Sequence, residues 1–216
     1  NLVSAITTNY GDKDIEELLD VEAKLRKIKH ERAIRERQQG KNVVCEVHDI
    51  TPSFPYPQGP REYQKTAFEN WKNKKQKGLF AMATGTGKTI TSLNCLFEIY
   101  QRKGYYKAII LVPTITLVNQ WEQECRKFRF SNITKVYSKN LTWRDEVERI
   151  LFNEKYKTDK EPEVSYIIIS TYASYAREKV FNVLNGFDKK RLLLIADECH
   201  NIGSGSLVKR LKDIPY

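Results

Sequence analysis

The sequence predicts an α/β fold, in which a mostly parallel sheet is flanked by helices and preceded by a long N-terminal helix. Short apolar segments such as KAIILV and SYIIIS alternate with segments of helical length, which is typical of parallel strands covered by helices. Residues 12–39 carry apolar side chains at helical spacing without an interrupting Gly or Pro, which predicts one long helix.

The second half of that helix is strongly basic. It is either an arm that touches DNA or a solvated linker helix, and we favour the linker because charged faces are common on bridging helices. A β-like segment follows at 43–47, and then Pro52, Pro55, Pro57 and Pro60 mark a connector. We therefore predict a boundary near Gly59, with a helical arm and connector over 1–58 and the main domain over 59–216.

The elements of the main domain follow from the same patterns. The predicted helices cover residues 62–75, 88–102, 114–128 and 142–152, with Thr142 as an N-cap. The predicted strands cover residues 79–83, 107–112, 133–137, 165–170 and 192–196. The last two are apolar enough to be buried on both faces. The polar residues 154–163 are expected to form an exposed loop.

The composition of the chain limits which partners, metal sites and cellular settings are expected. The 37 Lys and Arg residues against 27 Asp and Glu give a formal charge of +10, which suits a polyanion partner or a protein that is merely basic. Four cysteines, none in a C-x-x-C pair, and three histidines make a zinc site unlikely. Scattered cysteines indicate a reducing, intracellular setting, such as a bacterial cytoplasm. No apolar run reaches the ~20 residues that span a membrane.

A Gly-rich turn lies between a predicted strand and a predicted helix, in the segment ATGTGKT at 83–89. Gly85 and Gly87 let successive backbone N–H groups point inward, where they and the helix N-terminus can bind phosphate. Lys88 would reach the β- and γ-phosphates, and the Thr89 hydroxyl would ligate Mg²⁺. The general pattern places glycine where this chain has Met82. The turn predicts a phosphate-binding loop.

Two acidic residues, Asp197 and Glu198, directly follow the apolar strand at 192–196. Ligands of open α/β sheets bind at the carboxyl ends of the strands, where the phosphate loop also opens. Asp197 would hold Mg²⁺ through a water, and Glu198 would orient and deprotonate the attacking water. The two motifs together predict nucleoside triphosphate hydrolysis.

The two motifs together resemble the superfamily 2 helicases and translocases of the DExH type, in which the first glycine of the loop is often replaced. The resemblance covers residues 59–216 and implies the first of two RecA-like lobes. Gln120-Trp121, followed by Glu124 and Phe128, is most similar to double-stranded-DNA translocases. These include XPB-like repair helicases and the motor subunits of restriction enzymes.

The resemblance implies roles for the matching positions. The implied catalytic residues are Lys88, Asp197, Glu198 and His200. The implied ATP-binding residues are Arg61, Gln64, Thr84, Gly85, Thr86, Gly87, Lys88 and Thr89, with Gln64 reading adenine. The implied Mg²⁺ ligands are Thr89 and Asp197. The implied nucleic-acid contacts are Pro113, Thr114, Gln120 and Thr171. Taken alone, Gln64 is an ordinary surface glutamine, and Thr114 and Thr171 are ordinary helix caps.

The family's motif III and its second lobe, with an arginine finger, would follow Tyr216. Because that finger contributes about 10³- to 10⁵-fold in rate, we expect the 216 residues alone to hydrolyse ATP poorly. An upstream nuclease or recognition domain would suit a restriction or defence role. Three alternatives stay open: an RNA helicase or RNA-sensing ATPase, a non-catalytic scaffold and, more weakly, a small-molecule kinase.

Overall fold

The structure is a computed structural model that describes residues 51–82, 85–158 and 161–199. These residues lie within a compact unit that spans Asp49–Tyr216. The predicted helix at 12–39 and the β-like segment at 43–47 lie outside the described residues. Among the helices that are described, none is long and apolar enough to cross a membrane.

A parallel sheet forms the centre of the described region. Its strands are β1 (Lys107–Val112), β2 (Ile133–Val136), β3 (Tyr166–Thr171) and β4 (Leu193–Ala196), in the spatial order β2-β3-β1-β4. Every pairing is parallel, and Ile109 of β1 lies opposite Ile168 of β3 and Leu194 of β4. The predicted fold class, a mostly parallel sheet between helices, is confirmed.

Helices cover both faces of this sheet. They are α1 (Glu62–Asn73), α2 (Lys88–Lys103), α3 (Ile115–Lys127), α4 (Trp143–Tyr156), α5 (Tyr172–Tyr175) and α6 (Glu178–Leu184), followed by a 3₁₀ turn at Lys189–Arg191. Side chains of α2 and α3 pack on one face of β1 and β3, and those of α4, α5 and α6 pack on the other. The short helices α5 and α6 were not predicted, because few residues separate them from β3 and from each other.

The predicted strand at 79–83 is not formed over its described residues. Residues 79–82 have no regular secondary structure, and Leu79 is 73% exposed. A strand needs a hydrogen-bonding neighbour, and β4, the nearest edge, is separated from this segment by a groove lined by both. The segment is apolar, as the prediction assumed, but its described residues do not form a strand.

One further expectation about the sheet region was wrong, and another holds only in part. Strand β4 is not buried on both faces: Leu193, Leu194 and Ile195 are half-buried, because the sheet ends at β4 in the described residues. The expected loop at 154–163 begins inside α4, and its carboxylates Glu154 and Glu163 pair with a buried lysine. The residues at 155, 156, 158, 161 and 162 are exposed as expected, whereas Glu154 and Glu163 take part in a charge cluster with that lysine.

The Pro-rich connector packs on the domain over its described part. The Ser53 N–H donates to the Phe128 carbonyl at 2.9 Å, and the Phe54 ring lies 5.3 Å from the Phe128 ring in an edge-to-face arrangement. The boundary near Gly59 stays a prediction. Thr142 does occupy the N-cap position of α4, but its hydroxyl bonds Glu146 at 2.7 Å rather than a backbone N–H.

Candidate functional site

The phosphate loop is described from Gly85 onward, and Thr84 lies outside the described residues. Gly85 and Gly87 have φ values of 81° and 84°, in the left-handed region that favours glycine. Gly87 is the N-cap of α2, and its carbonyl accepts from the Thr91 N–H at 2.9 Å. The chain therefore enters α2 with Lys88 and Thr89 as its first residues, at the positive end of a helix of 16 residues.

The first helix, α1, rests against this loop. The Tyr63 hydroxyl donates to the Thr86 carbonyl at 2.7 Å. Gln64 is only 4% exposed, and its Oε1 accepts from the Arg61 N–H at 2.9 Å. A Cβ added at Gly87 would lie 3.5 Å from Gln64 Nε2, so the glutamine amide faces the loop. Gln64 is thus not an ordinary surface glutamine. The hydrogen bond from Tyr63 to the loop could not be predicted from the sequence.

The acidic pair and the loop lysine meet at the carboxyl edge of the sheet. Lys88 Nζ lies 3.7 Å from Glu198 Oε1, and the two side chains are 32% and 39% exposed. Glu198 has φ 49°, a left-handed conformation that costs a non-glycine residue energy and is frequent at functional sites. Both residues line one end of a groove of about 390 Å³ that continues along β4. This contact joins the two predicted motifs.

Asp197 is hydrogen-bonded to residues of three other elements. Its N–H donates to the Leu111 carbonyl at 2.9 Å, which continues the β1–β4 ladder. Its carbonyl accepts from the Tyr172 hydroxyl at 2.7 Å, and its carboxylate Oδ2 accepts from the Trp121 indole at 2.8 Å. Sequence analysis found Asp197 but missed both partners, since they lie on other elements. His200 lies outside the described residues.

Of the predicted nucleic-acid contacts, two directly follow β1, one lies in α3, and Thr171 is the last residue of β3. Thr114 is the exposed N-cap of α3, and its Oγ1 accepts from the Leu117 N–H at 3.3 Å. Gln120 is also exposed, and Pro113 is half-buried. Thr171 is buried and caps α5 by accepting from the Ser174 N–H at 3.2 Å. Thr114 and Gln120 can therefore reach a ligand as they stand, and Thr171 has its hydroxyl engaged.

A second charged constellation lies at the opposite, amino end of the sheet. Lys107 is 3% exposed by its side chain and pairs with Glu154 and, at 3.2 Å, with Glu163. Arg191 also pairs with Glu163, at 2.9 Å. We call Lys107, Glu154, Glu163 and Arg191 the amino-end cluster. Hydrogen bonds from Arg191 and Lys107 lower the pKa of Glu163 to about 2.

The two buried cysteines, Cys95 and Cys125, are not suited to nucleophilic chemistry, and the described residues form no metal cage of their own. Burial raises the pKa of the Cys95 thiol to about 12 and raises that of Cys125 further, so neither thiol is a nucleophile at neutral pH. No group of three His, Cys, Asp or Glu residues within the described ranges could hold a metal ion. A Mg²⁺ ion bound with a nucleotide needs fewer protein ligands, because phosphate oxygens and waters complete its shell.

Comparison with known proteins identifies the family. Residues 58–215 match the family described as "Type III restriction enzyme, res subunit". Residues of this chain also align with helicase SWR1 of Kluyveromyces lactis, at 29% identity over 148 residues, and of Saccharomyces cerevisiae, at 28%. Each alignment covers 66% of this chain but only 8% and 9% of the relative. The chain thus spans under a tenth of these relatives.

A solved structure shares the fold. It is a nuclease-deletion mutant of the type ISP restriction-modification enzyme LlaGI, in complex with a DNA substrate mimic. The match has a TM-score of 0.50 and 26% identity, and covers 69% of this chain and 16% of that one. The similarity extends over most of the region that the structure describes.

Proposed function

The chain belongs to the family of the type III restriction enzyme res subunit and contains a helicase-like RecA lobe of superfamily 2, and we propose that this lobe binds and hydrolyses ATP to drive movement on double-stranded DNA. The observation that carries the proposal is the approach of Lys88 Nζ to Glu198 Oε1, 3.7 Å apart at one sheet edge. A phosphate-binding lysine and a candidate base are thereby brought to the same small volume.

The proposed roles follow from charge and position. The backbone N–H groups at Gly85 and Gly87 and the N-terminus of α2 bind phosphate oxygens. Lys88 moves from Glu198 to the β- and γ-phosphates when ATP enters, since two phosphates offer more negative charge than one carboxylate. Glu198, thereby released, orients the attacking water and accepts its proton.

The remaining nucleotide contacts are proposals of the same kind. Thr89 and Asp197 offer the hard oxygen donors that Mg²⁺ prefers, a hydroxyl and a carboxylate. When bound, Mg²⁺ neutralises charge on the β- and γ-phosphates. Gln64, whose amide faces the loop, recognises the adenine edge with Arg61 nearby. We assign His200 to the link between the nucleotide site and nucleic acid.

The substrate is proposed to be the DNA backbone. The LlaGI structure contains a DNA substrate mimic, and the formal charge of +10 suits a polyanion. The proposed contacts would position phosphates rather than read bases; they are Pro113, Thr114 and Thr171 at the ends of β1 and β3, and Gln120 in α3. Binding should weaken steeply with salt, because phosphate contacts release counterions. A second RecA-like lobe, and a nuclease or recognition domain, are the proposed partners within a longer protein.

The test is Lys88→Ala in the full-length protein, with ATP hydrolysis measured with and without duplex DNA. We expect turnover to fall at least ~100-fold, in line with the loss of a charge that stabilises the transferring phosphate. Lys103→Ala is the matched control, because Lys103 is an exposed lysine at the far end of the same helix, and it should leave turnover within twofold. Full DNA-stimulated activity in Lys88→Ala would refute the phosphate-loop assignment.

The choice of DNA over RNA is tested separately. Duplex DNA and duplex RNA of the same sequence would compete for the protein at a fixed salt concentration. Preference for DNA supports the proposal, whereas equal or stronger binding of RNA favours the RNA-dependent alternative.

A further inference from the structure

Trp121 combines a core position with a polar contact at the candidate site. It is 3% exposed and packs with Val118 and Cys125 of α3 against the sheet. Its indole N–H donates to Asp197 Oδ2 at 2.8 Å. A buried indole needs an acceptor, and here the acceptor is the carboxylate proposed to hold Mg²⁺.

The carboxylate of Asp197 is fixed from two directions. Oδ2 accepts from Trp121, and Oδ1 accepts from the Glu198 N–H at 3.0 Å. The Trp121 indole belongs to α3, and the Glu198 N–H belongs to the residue after Asp197. Trp121 therefore fixes the orientation of the carboxylate relative to a separate helix. Gln120, a proposed DNA contact, is its neighbour in sequence, so α3 contacts the Asp197 carboxylate at one residue and solvent at the next.

We propose that Trp121 is a positioning residue that holds the Asp197 carboxylate in the orientation that binds Mg²⁺. The proposal rests on the proposed function, since it requires that Asp197 takes part in holding the ion. A hydrogen bond to an ionised acceptor is stronger than a neutral one, and groups that orient metal-binding side chains typically contribute 10- to 100-fold in metal affinity. Because Asp197 would hold the ion through a water, the lower end of that range applies.

The experiment compares three variants in the full-length protein. Trp121→Phe keeps an aromatic ring and removes the N–H. Tyr172→Phe removes the hydrogen bond to the Asp197 carbonyl and leaves the carboxylate bonds intact. Trp143→Phe changes a half-buried tryptophan that packs on the other face of the sheet. The readout is the Mg²⁺ concentration that half-saturates ADP binding, with ADP binding in EDTA as the reference.

We expect Trp121→Phe to raise the half-saturating Mg²⁺ concentration roughly tenfold and to leave ADP binding in EDTA within twofold. The other two variants should stay within twofold in both measurements. A folded Trp121→Phe protein with an unchanged Mg²⁺ requirement overturns the inference. An equal shift in Tyr172→Phe also overturns it, since general loosening of Asp197 would then suffice. Wild-type protein that binds no nucleotide instead refutes the proposed function.

A second measurement covers the case in which Trp121→Phe does not fold. In ¹⁵N spectra of the full-length protein, the indole N–H signal of Trp121 is the one that moves in Asp197→Asn, because that substitution changes its acceptor, and Trp143→Phe identifies the signal of Trp143. Replacing EDTA with Mg²⁺ in the presence of ADP should shift the Trp121 signal and leave the Trp143 signal in place. A stationary Trp121 signal while Mg²⁺ binds contradicts the proposal.

Discussion

The two ends of the sheet carry similar charges in opposite arrangements. At the amino end, Lys107 is almost completely buried and Arg191 and Lys107 both reach Glu163 within 3.2 Å. At the carboxyl end, Lys88 and Glu198 are 3.7 Å apart and each about one-third exposed. The first arrangement satisfies its charges within the protein, and the second leaves them accessible.

That difference separates structural charges from functional ones. Lys107 needs its carboxylates, because a buried ammonium without partners is strongly destabilising. Lys88 and Glu198 gain little from a long, exposed contact, so a phosphate can displace it at low cost. Two left-handed glycines and the left-handed Glu198 at the same edge indicate a backbone shaped for a ligand. Charge alone therefore does not identify the site, whereas an accessible ion pair together with left-handed backbone at the same sheet edge does.

The largest expected effect belongs to the carboxyl end. Glu198→Gln removes the proposed base and keeps the size of the side chain. General-base catalysis typically contributes about 10²- to 10⁴-fold, so we expect kcat for ATP to fall by that factor, with ADP affinity within a few-fold. Steady-state turnover and ADP titration of the full-length protein measure the two quantities.

The matched control at the amino end is Glu163→Gln, the same change in a carboxylate that also pairs with a lysine. It should leave kcat within twofold in protein that is folded at the assay temperature. If Glu163→Gln slowed turnover as much as Glu198→Gln, the division between a structural and a functional end would be wrong.

The next prediction concerns stability, and here the larger effect is expected at the amino end of the sheet. Lys107→Met leaves Glu154 and Glu163 without their buried cation. We expect it to lower the free energy of unfolding by about 2 to 4 kcal/mol, near the lower end for broken buried ion pairs because both carboxylates retain some exposure. Lys88→Met, at the exposed contact, should change it by less than about 1 kcal/mol. Urea denaturation measures both, and equal losses would show that the exposed pair is structural after all.

Much of this arrangement could be predicted from the sequence because it is local. The strands β1 and β3 contain the apolar runs at 108–112 and 166–169, and the glycines of the loop lie within three residues before Lys88. The helices α2 and α3 end within a residue or two of the predicted positions. In each case the signal and the structure lie in the same short segment, so periodicity and turn residues suffice.

What sequence reasoning missed depends on contacts between distant segments. Residues 79–82 are apolar enough for a strand, but pairing is decided by a neighbour. The polar residues Glu154 and Glu163 looked like solvent-exposed loop residues, and only the fold brings Lys107 between them. Trp121 lies 76 residues from Asp197 in the sequence, so a single sequence gives no reason to pair them.

The smallest expected effect is a pH dependence at the amino end. Hydrogen bonds from Arg191 and Lys107 hold the pKa of Glu163 at about 2, against roughly 4.3 for an unfolded glutamate. A carboxyl with a lowered folded-state pKa contributes stability that is fully present above the unfolded value and is lost as pH falls towards the folded value. The contribution of Glu163 should thus be constant above about pH 5 and decline between about pH 5 and pH 2.

The measurement is the difference in unfolding free energy between wild type and Glu163→Gln, taken by urea denaturation from pH 7 downward for as long as both proteins fold. The difference should be largest near neutral pH and shrink below about pH 5, because wild-type Glu163 progressively loses its advantage over the neutral amide. Glu62→Gln, at a carboxylate that is 86% exposed, should change stability by less than about 0.5 kcal/mol throughout. If the difference in unfolding free energy between wild type and Glu163→Gln stays constant down to pH 3, the two side chains differ in packing and not in charge. The amino-end cluster would then owe its stability to shape rather than to charge.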